Sequence, residues 1–412
     1  MAERTHRFDR RPLGKIDSAG SRQMWTRSSV ELADDVVIAG RWGGTVTAFD
    51  SESLDPRWEV DHPESAVSLA VTDDTLIVGG RGEDGVIAGY ALESGERRWS
   101  VDAAAHVGTP TSDRLFSLPY VLAIEADDDG DSLYAAARRY ERDGDKRRWQ
   151  SAVYGIEPDG AIRWRYETDA SPIALSLDSD RDRLAVGYNR CTGTHDCGVS
   201  VLDSETGDPE WMWDPVTDGD RRVGDVSFTG EHLAVASHGD KRGYLLEEGG
   251  TERWTVDLAV ETDVDGETLY AYPNHAYAND RYVAFVTGNT YAVDSRETSS
   301  RHPNEHRIAA FDIDGEPLWD ASVRGFVTEL AARDRAIVAP CAQNFRVRDS
   351  ETHALRWFDL KNGEQDKQDV TGIATAAAID SERIAVIEEP VEYHDEQRVH
   401  GEYALGIGSR FV

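Results

Sequence analysis

The sequence predicts an all-β protein, an eight-bladed β-propeller built from four-stranded antiparallel blades. One phrase recurs along the 412 residues: two apolar runs joined by a Gly-containing hairpin, an acidic residue, a short turn and a tryptophan. Successive tryptophans of this phrase are 41, 65, 47, 43, 65 and 38 residues apart. Most intervals match the period of about 40–50 residues of a propeller blade, and the two long ones indicate blades with insertions. The repeated tryptophans are Trp58, Trp99, Trp164, Trp211, Trp254, Trp319 and Trp357.

Each repeat is predicted to contain four short strands, counted from the propeller axis outward. The second repeat shows them most clearly, as short apolar runs separated by turn residues. Its predicted strands are Val67–Val71, Thr75–Gly79, Val86–Tyr90 and Arg98–Val101.

The last repeat lacks a strand, and the N-terminus is predicted to supply it. After Trp357, 55 residues remain, with three apolar runs and no further tryptophan of the repeat. A strand near 21–28 with Trp25 as the eighth tryptophan would complete this blade and close the ring, which removes two sheet edges. Residues 1–19 are then a flexible tail and 20–412 a single propeller domain. Seven blades is the alternative, if the last unit is degenerate.

The chain is strongly acidic. It has 78 Asp and Glu against 44 Lys and Arg, a net charge of -34 at pH 7, and only five of its basic residues are lysine. Such a composition is typical of halophilic proteins, which stay soluble at molar salt, where the Debye length is about 3 Å. We therefore expect a haloarchaeal origin. The summed negative field also repels nucleic acid and anionic lipid.

The sequence favours a cytoplasmic location. Three cysteines are too few for a disulfide scaffold and fit a reducing compartment. The basic N-terminal residues are not followed by the apolar run of a signal peptide. No stretch approaches the roughly 18 apolar residues that span a bilayer, so no membrane partner is expected.

Three of the phrases resemble the pyrroloquinoline-quinone-like (PQQ-like) propeller repeat. The matching residues are Ala48, Asp50, Ser53 and Trp58; Asp203, Thr206, Gly207 and Trp211; and Asp349, Thr352 and Trp357. Leu54 and His353 replace the turn glycine, and the turns before Trp164 and Trp319 are one residue shorter. The resemblance covers roughly 20–410. It implies that the tryptophans are structural and pack between adjacent blades, while the Asp, Thr and Gly shape the turn before them.

The resemblance does not extend to the quinone-dependent dehydrogenases of this fold. Those enzymes carry an adjacent pair of cysteines over the cofactor and a calcium site, and they are exported. No two cysteines are adjacent in this chain, and neither an export signal nor a counterpart of the calcium site is recognisable. The sequence thus predicts no cofactor and no catalytic residues.

The long segments are predicted to lie mostly on one face of the propeller, where functional residues tend to be found. They are the loops between second and third strands at 139–150, 189–198, 289–305 and 389–400, joined by the connection 102–117. The first of these is basic, with six basic residues and two aromatic ones in the twelve positions from 138 to 149. Arginines there would make bidentate contacts to an anionic partner. The candidate binding residues are Arg138, Arg139, Arg147, Arg148 and Trp149.

The alternative for this segment is a long β-hairpin whose bases pair internally with Glu141, Asp143 and Asp145. Further candidate binding residues in the later insertions are His302, His306, Tyr393 and His394.

Cys191, His195 and Cys197 form the one metal-like cluster. Cysteine and histidine suit zinc, with His238 or Cys341 as a fourth ligand. The spacing is not a common one for structural zinc, so the prediction is no metal. A plain hairpin, a disulfide and a metal site all stay open.

The sequence predicts a non-enzymatic scaffold that binds a protein or an assembly through the loop-rich face, because no catalytic motif appears. One alternative is a propeller enzyme with a small-molecule or metal site at the channel mouth. Another is contact with nucleic acid or a ribonucleoprotein through the Arg-rich hairpin, which the net charge disfavours.

Overall fold

Short apolar runs punctuated by turn residues fold as antiparallel strands throughout the chain, which confirms the all-β, propeller-like fold. The computed structural model describes residues 8–20, 22–112, 114, 116–127, 132–215, 217–295, 298–394 and 397–410. Residues 1–7 of the predicted tail and Ser21 of the predicted closing strand lie outside the described residues. No helix among the described residues is long and apolar enough to cross a membrane.

The strands are numbered in chain order. The first eighteen are β1 (Asp9–Pro12), β2 (Ala19–Gly20), β3 (Ser29–Ala33), β4 (Val36–Gly40), β5 (Thr45–Asp50), β6 (Pro56–Asp61), β7 (Ser65–Val71), β8 (Thr75–Arg81), β9 (Val86–Ala91), β10 (Arg97–Asp102), β11 (Tyr120–Ala126), β12 (Leu133–Asp143), β13 (Lys146–Ile156), β14 (Ile162–Thr168), β15 (Ala170–Asp178), β16 (Arg183–Cys191), β17 (Val199–Asp203) and β18 (Pro209–Trp213).

The strands that follow are β19 (Val223–Thr229), β20 (His232–Ser237), β21 (Arg242–Leu246), β22 (Glu252–Asp257), β23 (Thr262–Val264), β24 (Glu267–Asn279), β25 (Tyr282–Ala292), β26 (Arg307–Asp312), β27 (Pro317–Ser322), β28 (Ala331–Arg333), β29 (Ala336–Cys341), β30 (Ala354–Asp359), β31 (Gly363–Asp369), β32 (Ile373–Ile379), β33 (Arg383–Glu389), β34 (Val391–Tyr393), β35 (Arg398–His400) and β36 (Ala404–Ser409). The helical segments are α1 (Ala104–Val107) and the 3-10 turns Ser179–Arg181, Glu248–Gly250 and Ser350–Thr352.

Four successive strands make the repeating antiparallel sheet. We name these units in chain order: sheet 1 (β3–β6), sheet 2 (β7–β10), sheet 3 (β11–β14), sheet 4 (β15–β18), sheet 5 (β19–β22), sheet 6 (β24–β27, with β23 added), sheet 7 (β28–β31) and sheet 8 (β32, β33, β36 and β1). Sheets 2 and 3 are continuous through the pair Tyr120↔Arg81 of β11 and β8, and β2, β34 and β35 form a small separate sheet. The first strands of sheets 1 to 6 pack against one another in order, and β32 packs against β3. The apolar core lies between facing sheets, whereas the outer strands are largely exposed.

The repeated tryptophan joins sheets 1, 2, 3, 5 and 6 each to the next, whereas the indole N–H of Trp211 in sheet 4 is buried without a hydrogen-bond partner among the described residues. Trp164 of sheet 3 donates its indole N–H to the Ser204 carbonyl of sheet 4 at 2.8 Å, and its ring covers Gly207. Gly207 has φ +76°, and a Cβ there would lie 2.5 Å from the ring, so the site requires glycine. The same indole-to-carbonyl bond links Trp58 to Leu92, Trp99 to Pro158, Trp254 to Ile313 and Trp319 to Leu360.

Trp357 does not follow this pattern. It lies on β30, the third strand of sheet 7, and not on a fourth strand as predicted. The preceding phrase forms the 3-10 turn Ser350–Thr352, which leads into the third strand, and β31 is the outer strand. The ring of Phe8 packs against Trp357 at 5.9 Å.

The N-terminal strand lies earlier than predicted. Residues 22–28 are not in a strand, and β1 pairs with β36 from Asp9↔Ile407 to Pro12↔Ala404. The described part of the predicted flexible tail is therefore structured, with Phe8 and Leu13 buried on either side of β1. The strand was missed because its own residues are charged, as is usual for a sheet edge. Arg10 extends from it to Glu388 at 2.7 Å.

Candidate functional site

The Arg-rich insertion is a long two-stranded hairpin. β12 and β13 pair over their whole length, from Leu133↔Ile156 to Asp143↔Lys146. Gly144 at the tip has φ +61°, as a tight hairpin turn requires. The hairpin extends beyond β14, whose pairing with β13 stops at Ser151↔Thr168. It therefore projects from sheet 3 on the side of the long loops.

Two of the predicted binding arginines hold the hairpin in place. Arg139 is buried and donates through Nε to the Val107 carbonyl of α1 at 2.8 Å. Arg138 is partly buried and donates to Ser171 Oγ at 2.6 Å and to the Pro172 carbonyl at 2.7 Å, both in sheet 4. These two side chains attach the hairpin to its neighbours and do not form an exposed patch.

The outer part of the hairpin is exposed and faces a groove. Lys146, Arg147 and Arg148 are exposed, and Trp149 is partly buried. A cavity of about 790 Å³ separates this strand from sheet 4 and the loop before β17. Its lining residues are Arg139, Glu141, Asp145–Gln150, Asp169, Thr192, Gly193 and Asp220. The predicted residues Arg147, Arg148 and Trp149 thus share one groove.

Cations and aromatic rings alternate beside the hairpin. The guanidinium of Arg81 lies 4.9 Å from the Tyr120 ring, and that of Arg138 lies 5.6 Å from Tyr120 and 5.4 Å from Trp149. Such contacts are worth roughly 0.5–1 kcal/mol at exposed sites and more when desolvated. Arg81 and Tyr120 were missed because they belong to different strands, so no spacing in the sequence links them.

The segment before β3 reaches across several sheets. The Trp25 ring meets Phe116 edge to face at 5.6 Å, and Gln343 of the loop after β29 donates to the Gln23 carbonyl at 2.8 Å. Trp25 therefore packs against the connection that leads to sheet 3. It does not take the position of an eighth repeat tryptophan, as the sequence had predicted. Phe116 remains 61% exposed, which leaves an apolar side chain on this face.

Three of the remaining four candidates are buried. His302 Nδ1 accepts a hydrogen bond from the Asn304 backbone amide, and its Nε2 lies 3.0 Å from the Val260 carbonyl. His306 forms hydrogen bonds with the side chains of Asn289 and Asn344. The Tyr393 hydroxyl lies 2.5 Å from Nε2 of His353, a buried histidine just before β30. These three residues order their loops and offer no surface to a partner. His394 is exposed.

The cysteine cluster holds a loop of the groove. All three cysteines are buried and free, so the disulfide alternative is not present. Cys197 Sγ lies 3.2 Å from His195 Nε2, and Cys191 Sγ donates to the Cys197 carbonyl at 3.2 Å. Burial raises the pKa of the Cys191 thiol to about 12, so the free thiol is protonated at pH 7. Within the described ranges, no three His, Cys, Asp or Glu side chains are arranged to hold a metal.

Ionisable groups on the inner strands form a second feature that sequence reasoning missed. Glu31 of β3 and Glu125 of β11 are half-buried on these strands. Burial raises the pKa of Glu125 to about 8, and the charges of Asp225 and Glu31 add to this rise. Burial raises the pKa of Glu31 to about 7. In the sequence, the signal that could have indicated these groups was a glutamate within an otherwise apolar strand.

His275 of sheet 6 faces Asp225, with 3.7 Å between Nδ1 and the carboxylate, and its Nε2 lies 2.9 Å from the Val327 carbonyl. Burial by itself lowers the pKa of His275, but the bond to Asp225 and its charge, the bond to the Val327 carbonyl and the charge of Glu329 together raise the pKa overall. The inner strands therefore hold a histidine paired with a carboxylate, and two glutamates whose pKa values are raised by burial.

Replacing Glu125 with glutamine is expected to reduce the loss of folding stability that accompanies rising pH. The folded protein keeps the Glu125 proton up to about pH 8, whereas the unfolded chain releases it near the ordinary value of 4.5. Folding thus loses stability as pH rises from about 4.5 to 8. Melting temperatures at both ends of this range, for both proteins, test the prediction. Glu93→Gln at an exposed position is the control, and equal slopes in the Glu125 variant and the wild type would contradict it.

A family model matches the chain over residues 13–157 and 43–229, which together make up more than half of it. The family is described as outer membrane protein assembly factor BamB. This match confirms the resemblance to a PQQ-like repeat. No curated protein matches the chain.

Solved structures share the fold. BamB from Moraxella catarrhalis is 14% identical with a TM-score of 0.56, and the match covers 98% of this chain and 100% of that one. The computationally designed Ika8 protein is 13% identical with a TM-score of 0.59, over 95% and 99%. Quinohemoprotein alcohol dehydrogenase from Comamonas testosteroni is 10% identical with a TM-score of 0.62, over 94% and 75%. At such identities the likeness concerns the fold alone, since an assembly factor and an enzyme share it.

Proposed function

Because the chain belongs to the family described as outer membrane protein assembly factor BamB, we propose that it is a non-enzymatic scaffold that binds a protein partner through its loop-rich face. The observation that carries this proposal is the groove of about 790 Å³ between the β12–β13 hairpin and sheet 4. It is a concave site beside exposed cations on a protein whose net charge is -34. A rigid scaffold that presents a groove between loops is a common arrangement for recognition.

The hairpin is suited to present this surface. Arg138 and Arg139 fix its base through hydrogen bonds to sheet 4 and α1, so its position is set before a partner arrives. Preorganisation of this kind reduces the entropy lost on binding. Lys146, Arg147 and Arg148 at its outer end remain exposed to a partner.

The double variant Lys146→Glu/Arg147→Glu is expected to lose the partner in affinity capture from a lysate of its own cells at native salt. The reversal replaces two exposed cations of the groove with carboxylates, and we expect recovery of the bound partner to fall at least about tenfold. Quantitative mass spectrometry of the bound proteins measures it.

The matched control is Arg97→Glu/Lys361→Glu, which changes net charge equally at two exposed positions outside the groove. Melting curves of both variants show whether they are folded. If both double variants retain the same proteins, the groove is not the binding site.

We also propose that the sheets form eight blades in a closed ring. The pairing of β1 with β36 and the packing of β32 against β3 support this, because they join the two ends of the chain. The acidic, lysine-poor composition supports a halophilic origin, and the three free thiols support a cytoplasmic location.

A further inference from the structure

One edge of β13 is open. Lys146–Gln150 pair with β12 on one side, from Asp143↔Lys146 to Arg139↔Gln150. On the other side β14 reaches only to Ser151, and after Thr168 the chain turns into sheet 4. No other strand of the described residues pairs with this part of β13. Five residues of strand therefore present unpaired backbone groups, a template for pairing with another chain.

The groove lies directly along this edge and leaves room for a strand. Its far wall is formed by Asp169, Thr192 and Gly193, and its volume is about 790 Å³. A second cavity of about 430 Å³ continues beside it, and the two share Gln150 and Asp169. Five residues of extended chain are about 17 Å long and pair about 4.8 Å from their neighbour. An added strand would thus continue the line of β14.

Four cations and four carboxylates line the groove. Each of its four carboxylates is neutralised or held by a neighbour: Glu141 by Arg139 at 2.8 Å, Asp145 by Arg142 at 3.6 Å, Asp220 by Arg190 at 3.0 Å, and Asp169 by the amide of His195 at 2.8 Å. Within the described part of the chain no ion pair involves Lys146 or Arg147. The two cations flank the open edge, so an acidic occupant complements it.

We propose that an extended acidic segment of a partner protein adds to the Lys146–Gln150 edge as a further strand of sheet 3. This inference rests on the proposed function and specifies its binding mode. Backbone hydrogen bonds to β13 give the segment its alignment, and Lys146 and Arg147 select its acidic side chains. The loop at 192–195, which Asp169 orders through the amides of Thr194 and His195, forms the opposite wall.

A synthetic eight-residue peptide of alternating glutamate and valine, labelled with fluorescein, tests the proposal by fluorescence anisotropy. We expect it to bind the wild type and the Arg97→Glu/Lys361→Glu control equally, and Lys146→Glu/Arg147→Glu about tenfold more weakly or worse. Two further peptides carry N-methyl groups on one or the other set of alternate backbone amides. One of the two is expected to lose about tenfold or more in affinity, because it lacks the amides that face β13.

Hydrogen exchange gives an independent measurement. The bound peptide is expected to slow exchange of amides within Lys146–Gln150. Unchanged exchange, or equal affinity of all three peptides, would show an ionic contact without strand addition and would overturn the inference. A lysine–valine peptide that binds as tightly as the glutamate–valine peptide, or more tightly, would overturn the acidic preference. If no peptide binds, both the acidic preference and the strand addition are overturned.

The two proposals fail differently. A captured partner that depends on Lys146 and Arg147, together with a peptide insensitive to N-methylation, leaves the scaffold function and removes the strand addition. A peptide that binds as expected, with no partner captured from the lysate, supports the open edge as a strand acceptor and contradicts the scaffold function.

Discussion

Replacing Arg27 with alanine is expected to lower the free energy of unfolding by about 3–5 kcal/mol, the range found when one partner of a buried ion pair is removed. Arg27 Nε donates to Glu389 Oε2 at 2.7 Å, and the two side chains are 9% and 0% exposed. A second bond runs from Arg27 to the Asp17 carbonyl at 2.9 Å. Without Arg27, the Glu389 carboxylate stays buried without its partner, and the segment before β3 loses its attachment to sheet 8.

Urea denaturation at fixed salt measures this effect. The control is Arg98→Ala, which breaks the exposed pair between Arg98 and Asp74 and is expected to cost about 0–1 kcal/mol. The double variant Arg27→Ala/Glu389→Gln is expected to recover part of the loss, because it removes the buried charge as well. Equal unfolding midpoints for Arg27→Ala and Arg98→Ala would show that the buried pair contributes little.

Replacing Trp164 with alanine is expected to lower the free energy of unfolding by a similar amount, about 3–5 kcal/mol, as for other buried aromatic residues. Trp164 is 8% exposed, and its indole bonds to the Ser204 carbonyl. Its ring also covers Gly207 in the turn of the next sheet. The substitution opens a cavity between sheets 3 and 4 and leaves the Ser204 carbonyl with one donor fewer.

The same denaturation experiment tests this prediction, with Met212→Ala as its control. Met212 lies on β18 next to the repeat tryptophan of sheet 4 and is 47% exposed, so its loss is expected to change stability by about 0.5 kcal/mol or less. If both variants unfold at the same urea concentration, the tryptophan does not hold the sheets together.

The repeat and the side chains that serve it were predictable from the sequence. The intervals between tryptophans indicated four-stranded units, and Trp164 and Gly207 meet between sheets as the resemblance implied. The hairpin at 138–149 was one of two interpretations, and its strands were visible as a local pattern. Phe8 and β1 were not visible, because a charged edge strand lacks the alternation of a half-buried one.

The binding groove depended on contacts that no local pattern contains. Arg138 and Arg147 looked alike in the sequence, yet one donates to Ser171 and the other is exposed. The two arginines differ in exposure because Arg138 lies beside sheet 4 and Arg147 lies farther out on the hairpin.

The sequence by itself determined the repeat and the all-β fold, because both depend on sequence periodicities within about one blade. It also determined the acidic surface, because that depends on composition. Only the tertiary structure decided which arginines are exposed, where the edge of β13 is open and which carboxyl groups have a pKa raised by burial. Those properties arise where distant segments meet, as when Arg27 pairs with Glu389, 362 positions away in the sequence.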